Sequence, residues 1–330
     1  MASTTDKSAL TASFGTATHV RRVAPNTYRA YLNGNWTIGA VPHGGYVAST
    51  ILRAAEEHLA SRGQKHSISA HFEYLNRTEV GPAIIVIEDT KPGRSVSNIH
   101  ATLYQGDLQD EAPFITAKTR KPVVAYLINT NLAEEAGVTL KTEWELLPPP
   151  KPVDLTKIVS EQDPNWTTKD ARIGMAQRAV AKAPHNLDFF FPREYGRLGL
   201  EDNWVRFKSG EGWTNVSLGF LADVLPIVIE GWRPKNDDDK NPPFKRSEQF
   251  WYPTLALNLD IKKALPEKGV EWLFIRTMTR QVRNGRFDLE ATILDPNGEL
   301  VAIASHVNMV LPLARNLAKR GNGNGDGSKL

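Results

Sequence analysis

The same order of predicted elements occurs twice along this chain of 330 residues, and the repetition limits the folds that the chain can adopt. In each half, short strands precede one helix, and a series of longer strands follows that helix. The two helices are predicted at 44–61 and 214–229, where apolar residues recur at helical spacing. A Gly-Arg pair, at 93–94 and again at 285–286, precedes a strand, a turn and an apolar strand in both halves. This pattern indicates a duplication of one unit.

Strands are predicted where apolar and polar residues alternate, or where a short apolar run lies between turns. They cover 16–24, 27–32, 68–74, 83–88, 96–105 and 114–123 in the first half, and 187–191, 204–207, 254–261, 272–280, 287–294 and 300–311 in the second. A sheet with one helix packed on it buries one face of the sheet and one side of the helix. Two such units joined edge to edge would give one extended sheet with few free edges. The predicted fold class is therefore α+β.

Prolines and a loss of periodicity separate the two halves. The run Pro148–Pro150 interrupts any regular element there, which predicts a partly extended linker over the surface. The predicted organisation is a disordered N-terminus at 1–13, a first unit at 14–125, a linker at 126–183, a second unit at 184–313 and a flexible tail at 314–330. A polar insertion at 233–246 is either a lid or a surface loop.

Charge and composition exclude several classes of protein. The chain has 40 basic and 37 acidic residues, a net charge of +3, and neither sign forms a long block. This balance argues against nucleic-acid binding and against electrostatic membrane anchoring. The absence of cysteine excludes disulfides, a thiolate nucleophile and Cys-ligated zinc. No apolar run approaches the roughly 20 residues that a membrane-spanning helix needs, and the motifs of serine hydrolases, phosphate-binding loops and zinc helices are missing from the sequence.

The chain closes with a Gly/Asn-rich stretch followed by Ser328, Lys329 and Leu330. A Ser-Lys-Leu carboxyl terminus is an address for peroxisomal import, and a glycine-rich tether would present it to the import receptor. We therefore expect a peroxisomal location, with the import receptor as a partner. A disordered tail that ends in this tripeptide by coincidence is the alternative.

Several short motifs occur in the same order as in a known family. They are 42–46 (PHGGY), 71–77 (HFEYLNR) and 91–97 (KPGRSVS) in the first half, and 221–223 (LAD), 253–255 (PTL) and 305–307 (SHV) in the second. With these motifs, residues 14–125 and 185–312 resemble the acyl-CoA thioesterase II-like family. The resemblance implies a double hotdog fold, an acyl-CoA substrate and water as the nucleophile, with no cofactor and no metal. It leaves the oligomeric state open, and a homo-oligomer would be compatible with it.

The resemblance also implies a catalytic group, because the family activates water with an Asp, a Thr and a Gln from its second half. By position these fall on Asp223, Thr254 and His306, so that an imidazole replaces the amide. Asp223 lies in the apolar stripe of the second predicted helix, three residues after Phe220. A carboxylate there is costly unless it is paired or hydrogen-bonded. A structural aspartate bonded to backbone groups freed by Pro226 is the alternative.

Thr254 and His306 carry weaker signals of their own. Thr254 begins a strand, on the same predicted face as Asn258 and Asp260, and threonine is common in strands in any case. His306 shares a strand face with Asn308. If catalytic, its imidazole would orient the water, as the family's amide does, or accept the proton directly. An ordinary half-buried histidine, or a different reaction, is also consistent with the sequence.

The first half supplies the candidate contacts to the oxyanion or the substrate. His43, Gly44 and Gly45 open the first helix, where glycine lets the backbone approach a ligand and the amides could hold an oxyanion. A tight turn into a helix needs glycine as well. Arg94 could meet a CoA phosphate, although a surface salt bridge is the simpler interpretation. Gln105 is a weaker candidate for the same role.

Three other functions remain compatible with the sequence. An enoyl-CoA hydratase or dehydratase needs an Asp and a His on one segment, but the residue at the required spacing after Asp223 is Val228. An enzyme of specialised metabolism could use the same scaffold to release, cyclise or rearrange a polyketide-type acyl chain, and the imidazole of His306 is compatible with it. A non-catalytic acyl-CoA binding module is the third. Because the first helix has no carboxylate matching Asp223, we expect one main active site built from the second half.

Overall fold

A computed structural model describes residues 13–168, 181–194, 196–224, 226–234, 236 and 241–318. The predicted disordered N-terminus, apart from its last residue, and most of the predicted tail with its Ser328–Leu330 tripeptide lie outside the described residues. Within the described residues, no helix combines the length and the apolar character that crossing a membrane requires.

Strands dominate the described residues. In chain order they are β1 Val20–Ala24, β2 Thr27–Leu32, β3 Thr37–Ile38, β4 Val41–Pro42, β5 His66–Tyr74, β6 Gly81–Lys91, β7 Ser97–Gln105, β8 Arg120–Thr130, β9 Trp166–Thr167, β10 Leu187–Pro192, β11 Leu200–Phe207, β12 Phe250–Trp251, β13 Thr254–Ile261, β14 Leu273–Met278, β15 Val282–Arg283, β16 Arg286–Leu294, β17 Leu300–Met309 and β18 Leu311–Pro312. The α-helices are α1 Phe14–Ala17, α2 Gly44–Leu59, α3 Leu218–Asp223 and α4 Leu313–Leu317. Short 3-10 helices cover Gly34–Trp36, Ala60–Arg62, Ala183–Asn186 and Pro226–Trp232.

One antiparallel sheet of 14 strands runs through both halves of the chain. Its strand order is β1-β2-β6-β7-β8-β5 in the first half and continues as β13-β17-β16-β14-β11-β10-β9 in the second, with β15 paired to β16. The halves meet where β5 pairs with β13, so that Phe72 lies opposite Leu257. This pairing removes the edge that each unit would expose alone. The structure confirms the predicted α+β fold of two sheet-and-helix units joined edge to edge.

Helix α2 packs on one face of the sheet because its apolar residues recur every three or four positions. Val47, Ile51 and Leu59 are fully buried in the main core, together with the strand residues that face them. The helix ends at Leu59, close to the predicted end at 61. The core of the first half therefore lies between α2 and the sheet.

The helix predicted at 214–229 is wrong in its extent. Regular α-helix covers only Leu218–Asp223, and a 3-10 helix begins at Pro226. Proline has no amide hydrogen, and its ring disfavours the α conformation in the residue before it. The α-helix therefore stops before Pro226, and Asp223 ends the helix instead of lying near its middle.

Helices α2 and α3 cross in close contact, and glycine makes the contact possible. A Cβ atom on Gly45 would lie 2.5 Å from the Gly219 carbonyl oxygen and 2.8 Å from the Asp223 Cβ atom. A Cβ atom on Gly219 would lie 3.0 Å from the Ser49 hydroxyl oxygen. Side chains at either position would hold the helices apart, so these glycines set the distance at which the two halves meet.

The segment between the halves covers the outer face of the second half, opposite the helices. Ile158 and Trp166 pack with Trp204 and Phe274 in a separate apolar cluster, and β9 in this segment extends the sheet. Strand β8 runs to Thr130, so the first unit continues past the predicted boundary at 125. The predicted linker is thus partly a second layer on the sheet and not only an extended surface segment.

The polar insertion at 233–246 is fastened beside the 3-10 helix that follows α3. The Arg233 guanidinium pairs with the buried Glu230 carboxylate. It also donates to the carbonyl oxygens of Arg246 at 2.8 Å and Glu248 at 2.7 Å. These bonds hold the two ends of the insertion together.

We expect the substitution Gly45→Ala to destabilise the protein by about 1–3 kcal/mol, because the new methyl group would collide with the α3 backbone and overpack the crossing. Urea-induced unfolding measures the loss. Gly34→Ala is the control, since a Cβ atom there would meet only the Val80 side chain at 3.7 Å. Equal stability of the two variants would contradict the close crossing of the helices.

Candidate active site

The carboxylate of Asp223 lies at the contact between the helices of the two halves. Its Oδ2 atom accepts a 2.7 Å hydrogen bond from the Gly45 amide, and its Oδ1 atom accepts a 2.7 Å hydrogen bond from the Thr254 hydroxyl. Only 4% of the residue is exposed. The positive end of the α2 dipole and the two donated hydrogen bonds stabilise the negative charge. These interactions offset the cost of burying the carboxylate.

The hydroxyl of Thr254 reaches this carboxylate because of a β-bulge. Strict alternation along β13 would place Thr254 on the same face as Asn258 and Asp260. The pairing of β13 with β17 instead shifts its register between Thr254 and Ala256, and a bulge of this kind re-aims a side chain. The predicted face is therefore wrong: Thr254 lies on the helix-covered face, in contact with Asp223.

His306 lies on the same face, on β17, so the structure brings the three predicted catalytic residues together. Its Nδ1 atom is 3.7 Å from the Asp223 Oδ1 atom, which is too long for a hydrogen bond. The side chain is fully buried, and neither ring nitrogen has a hydrogen-bond partner among the described residues. Burial lowers the pKa of His306, while the charge of Asp223 acts in the opposite direction. The neutral ring has one donor and one acceptor nitrogen, both available to a ligand.

His43 is a second imidazole beside the carboxylate and forms the N-cap of α2. Its Nδ1 atom accepts a 3.1 Å hydrogen bond from the Gly45 amide and lies 3.7 Å from the Asp223 Oδ2 atom. Because Nδ1 is an acceptor, the proton of the neutral ring is on Nε2. Burial lowers the pKa of His43, and the nearby Asp223 carboxylate opposes this shift. His43 therefore shapes the helix start as a neutral acceptor.

Gly44 and Gly45 both belong to the site, but their roles differ. The Gly45 amide already donates to Asp223, so it is occupied and cannot serve an oxyanion. A Cβ atom on Gly44 would lie 2.7 Å from the Asp223 Oδ2 atom, which leaves no room for a side chain. The Gly44 amide is at the first helical position, where an amide has no partner within the helix. It is therefore a candidate donor to an oxyanion at this helix start.

Tyr74 is a site residue to which the sequence analysis gave no catalytic role. Its hydroxyl donates a 2.9 Å hydrogen bond to the Gly44 carbonyl oxygen. Burial and the Asp223 charge raise the pKa of Tyr74 well above its usual value, so the phenol stays protonated and remains a donor. The bond ties β5 to the start of α2 and positions the helix terminus.

Arg94 and Gln105 do not belong to this group of residues. Arg94 is exposed in the turn between β6 and β7, where its carbonyl oxygen accepts a bond from Gln64 beyond the C-terminal end of α2. The 16-residue helix separates this turn from Asp223 by roughly 24 Å at 1.5 Å per residue. Gln105 is buried and bonds to the backbone of residues 79–82. Neither side chain contacts Asp223, and the contacts of Arg94 and Gln105 with the substrate stay predictions.

Asn308 is a candidate that the sequence analysis did not single out. It follows His306 by two residues on the same face of β17, and its Cα atom is paired with that of Thr254. The residue is fully buried, and neither atom of its amide has a partner among the described residues. Buried amides are normally hydrogen-bonded, so this side chain adds a free donor and acceptor beside the carboxylate. Its shared face with His306 was the only signal in the sequence.

The arrangement is suited to the activation of a water molecule. Each carboxylate oxygen of Asp223 accepts one protein hydrogen bond and has a further lone pair for a water proton. A neutral His306 and the Asn308 amide could orient the same water. Over the described ranges, no three His, Asp or Glu side chains cluster in the manner of metal ligands. A carboxylate held next to a water-orienting imidazole and amide can act by general-base chemistry.

Comparisons with known proteins identify relatives of the whole chain. The model of the acyl-CoA thioesterase N-terminal domain matches residues 32–119, and that of the acyl-CoA thioesterase C-terminal domain matches residues 152–310. The chain is 36% identical over 330 residues to the thioesterase-like protein TwmA of Talaromyces wortmannii, which covers 93% of this chain and 94% of TwmA.

Solved structures share the fold at low sequence identity. The acyl-CoA thioesterase II TesB2 from Mycobacterium marinum superposes with a TM-score of 0.61 at 15% identity, over 91% of this chain and 98% of that protein. A conserved hotdog-fold protein of unknown function from Alicyclobacillus acidocaldarius gives a TM-score of 0.65 at 16% identity, over 91% and 98% of the two chains. These likenesses confirm the double hotdog fold.

We expect the protein to lose stability in acid because of the two buried imidazoles. Burial lowers the pKa of His43 and of His306 below the ordinary value of 6.5. Below that pH the unfolded chain therefore binds more protons than the folded chain. By linkage, the free energy of unfolding decreases as the pH falls through this range, whereas these two groups have no effect well above it. Urea unfolding at a series of pH values measures the decrease.

The substitution His306→Gln separates this effect from general acid sensitivity. It removes one of the two imidazoles, so its free energy of unfolding should fall less steeply with acid than that of the wild type. His19→Gln, at an exposed position, is the control and should keep the wild-type slope. A His306→Gln protein with the wild-type slope would contradict the neutral, buried ring.

Proposed function

Because the chain belongs to the acyl-CoA thioesterase family, we propose that it hydrolyses an acyl-CoA thioester with Asp223 as the general base. The matched domains make it a thioesterase-like hydrolase. The observation that carries the finer proposal is the buried Asp223 carboxylate, which Gly45 and Thr254 hold by hydrogen bonds. A carboxylate fixed in this way, next to polar groups that have no protein partner, is suited to accept a proton from water.

In the proposed reaction, a water molecule between Asp223 and His306 attacks the carbonyl carbon of the thioester and gives a proton to the carboxylate. The electrons of the carbonyl double bond move to its oxygen, and the Gly44 amide at the helix start stabilises this oxyanion. Collapse of the intermediate breaks the carbon–sulfur bond, and the leaving CoA thiolate takes up the proton. The products are a carboxylic acid and CoA, and no covalent enzyme intermediate forms.

His306 takes the role of the amide that the family carries at this position by orienting the water. A neutral imidazole, like an amide, offers a donor and an acceptor. The lowered pKa of His306, which results from burial, supports the neutral form. Thr254 holds the carboxylate in place through its hydroxyl.

A release or cyclisation reaction of specialised metabolism is the second candidate function. The observation in its favour is the imidazole of His306, which replaces the family's amide in a fully buried position. In such a reaction, a hydroxyl of the acyl chain would take the place of water as the nucleophile. A hydratase is not favoured, since Val228 packs in an apolar cluster with Leu289 where the required histidine would stand.

We expect Asp223→Asn to lower kcat for acyl-CoA hydrolysis by about 100-fold or more, since an amide cannot take a proton from water and general-base catalysis contributes about 10²–10⁴-fold. Release of free thiol from a panel of acyl-CoAs measures the loss. Asp260→Asn is the matched control, because Asp260 lies half-exposed on the other face of β13, 3.7 Å from the Lys262 ammonium.

In the same assay, His306→Gln should keep kcat within about tenfold of the wild type, because the amide supplies the same donor and acceptor. Hydrolysis by the Asp223→Asn protein at the wild-type rate would contradict the proposal that Asp223 is the general base. Absence of hydrolysis by the folded wild type would favour the second candidate or a binding module.

We also propose a peroxisomal location, supported by the Ser328-Lys329-Leu330 sequence at the carboxyl terminus. A fluorescent protein fused to the N-terminus should collect in peroxisomes and lose this location when the three residues are removed. The variant matched to this deletion is Leu330→Ala, which alters the tripeptide without shortening the chain. Diffuse fluorescence of the unaltered fusion would contradict the proposal.

A further inference from the structure

Away from the catalytic group, two buried polar side chains on the helix-covered face of the second half have no hydrogen-bond partner among the described residues. Asn203 on β11 and Thr277 on β14 are both fully buried. Neither amide atom of Asn203 nor the hydroxyl of Thr277 has a hydrogen-bond partner among the described residues. Asn203 lies two residues before Val205 and Thr277 two residues after Ile275, and both of these are core residues; side chains two residues apart on a strand share a face. Their side chains therefore point toward the helices and not toward the outer layer.

The pairing of the strands connects these side chains to the catalytic group. Thr277 is paired with Ala291 on β16, and Ala291 is paired with Ala304 on β17. His306 follows Ala304 by two residues on the same face. Two strand spacings across the sheet and two residues along it place Thr277 about 12 Å from His306. The small side chains of Ala291 and Ala304 lie on this face between them, and Leu289 lies beside His306.

Asn203 and Thr277 lie close enough to bind one chemical group together. Asn203 is paired with Ile275, which precedes Thr277 by two residues on the neighbouring strand. Such diagonal neighbours are about 7–8 Å apart. The amide and the hydroxyl can each donate and accept a hydrogen bond, so a single oxygen or nitrogen function between them would satisfy both.

The charged residues on the opposite face of the same two strands are paired with each other. Asp202 and Arg276 are next to Asn203 and Thr277 in sequence, and they form a buried pair with hydrogen bonds of 2.6 and 2.7 Å. The Arg276 guanidinium also donates to the Pro148 carbonyl oxygen. On that face each charge has its partner. An unpaired buried amide and hydroxyl destabilise a fold, which indicates a ligand contact on the helix-covered face.

We propose that Asn203 and Thr277 bind a hydroxyl, keto or amide group in the middle of the substrate's acyl chain, so that the enzyme selects functionalised acyl thioesters over saturated ones. The inference rests on the proposed function, since it concerns the acyl group of the same substrate. A site that hydrogen-bonds a substrate group rejects the analogue without that group, because its own buried groups are then left unpaired. The polar group would stand about 12 Å from the catalytic group, the distance given by the strand pairing.

Binding and turnover are measured separately, so that the two proposals can fail separately. The Asp223→Asn protein is titrated by calorimetry with pairs of acyl-CoA thioesters that differ only in one mid-chain hydroxyl or keto group, placed at successive carbons. We expect the functionalised member of the best pair to bind about tenfold more tightly or better. Thr277→Val or Asn203→Leu, introduced into the same protein, should remove this preference. Thr292→Val is the matched control: it is the same change on β16, at a side chain on the outer face opposite Arg276, and it should leave the preference intact.

Each outcome bears on one proposal. The inference would be overturned if, in every pair, the saturated thioester bound as tightly as the functionalised one or more tightly. Ordered water would then be the partner of the Asn203 and Thr277 side chains. A preference that persists in both Thr277→Val and Asn203→Leu would also overturn it. If the Thr277→Val or Asn203→Leu variant fails to fold, the difference in affinity between the paired thioesters on the Asp223→Asn protein still tests the inference. Wild-type turnover of the same thioesters tests the proposed function on its own, because absence of hydrolysis with the preference intact would remove the reaction but not the binding site.

Discussion

The hydrogen bond from the Gly45 amide to the Asp223 carboxylate joins the two halves of the chain and fixes the place of the candidate chemistry. It requires the close crossing of α2 and α3, which depends on glycine at position 45 and at Gly219. It also places the acid of one half at the positive end of the helix of the other half. The site is therefore composite. The second half supplies the acid, and the first half supplies the helix terminus that stabilises it.

The duplication shows why the chain has one such group and not two. Ser49 stands in α2 where Asp223 stands in α3, each four residues after the glycine of the crossing. The first half pairs Ser67 with Asn129 beside a register shift, just as the second half pairs Thr254 with its own asparagine. The side chains of Ser67 and Asn129 bond to each other at 3.2 Å, so they satisfy one another. Because Ser49 replaces the carboxylate, the first copy lacks a counterpart of the proposed base Asp223.

The sheet could be predicted from the sequence because alternation with a period of two reports directly which strand residues are buried. The burial of Asp223 followed in the same way from its place in an apolar stripe. Two local errors have backbone causes: Pro226 ends the helix early, and a bulge, which leaves no mark in the alternation, turns Thr254 to the other face. The place of Arg94 relative to Asp223 could not be judged from chain order, because the distance from one end of α2 to the other becomes visible only in the folded protein.

The buried amides of the two halves differ in a way that separates packing from function. In the first half, Gln64, Gln105 and Asn129 all have hydrogen-bond partners, whereas Asn203 and Asn308 in the second half have none among the described residues. An unpaired buried amide destabilises the fold, and an apolar residue of similar size in its place would remove that penalty. Both unpaired amides belong to the half that carries the acid. A bound ligand would remove this penalty, which agrees with the proposed contacts of Asn203 with the acyl chain and of Asn308 with water.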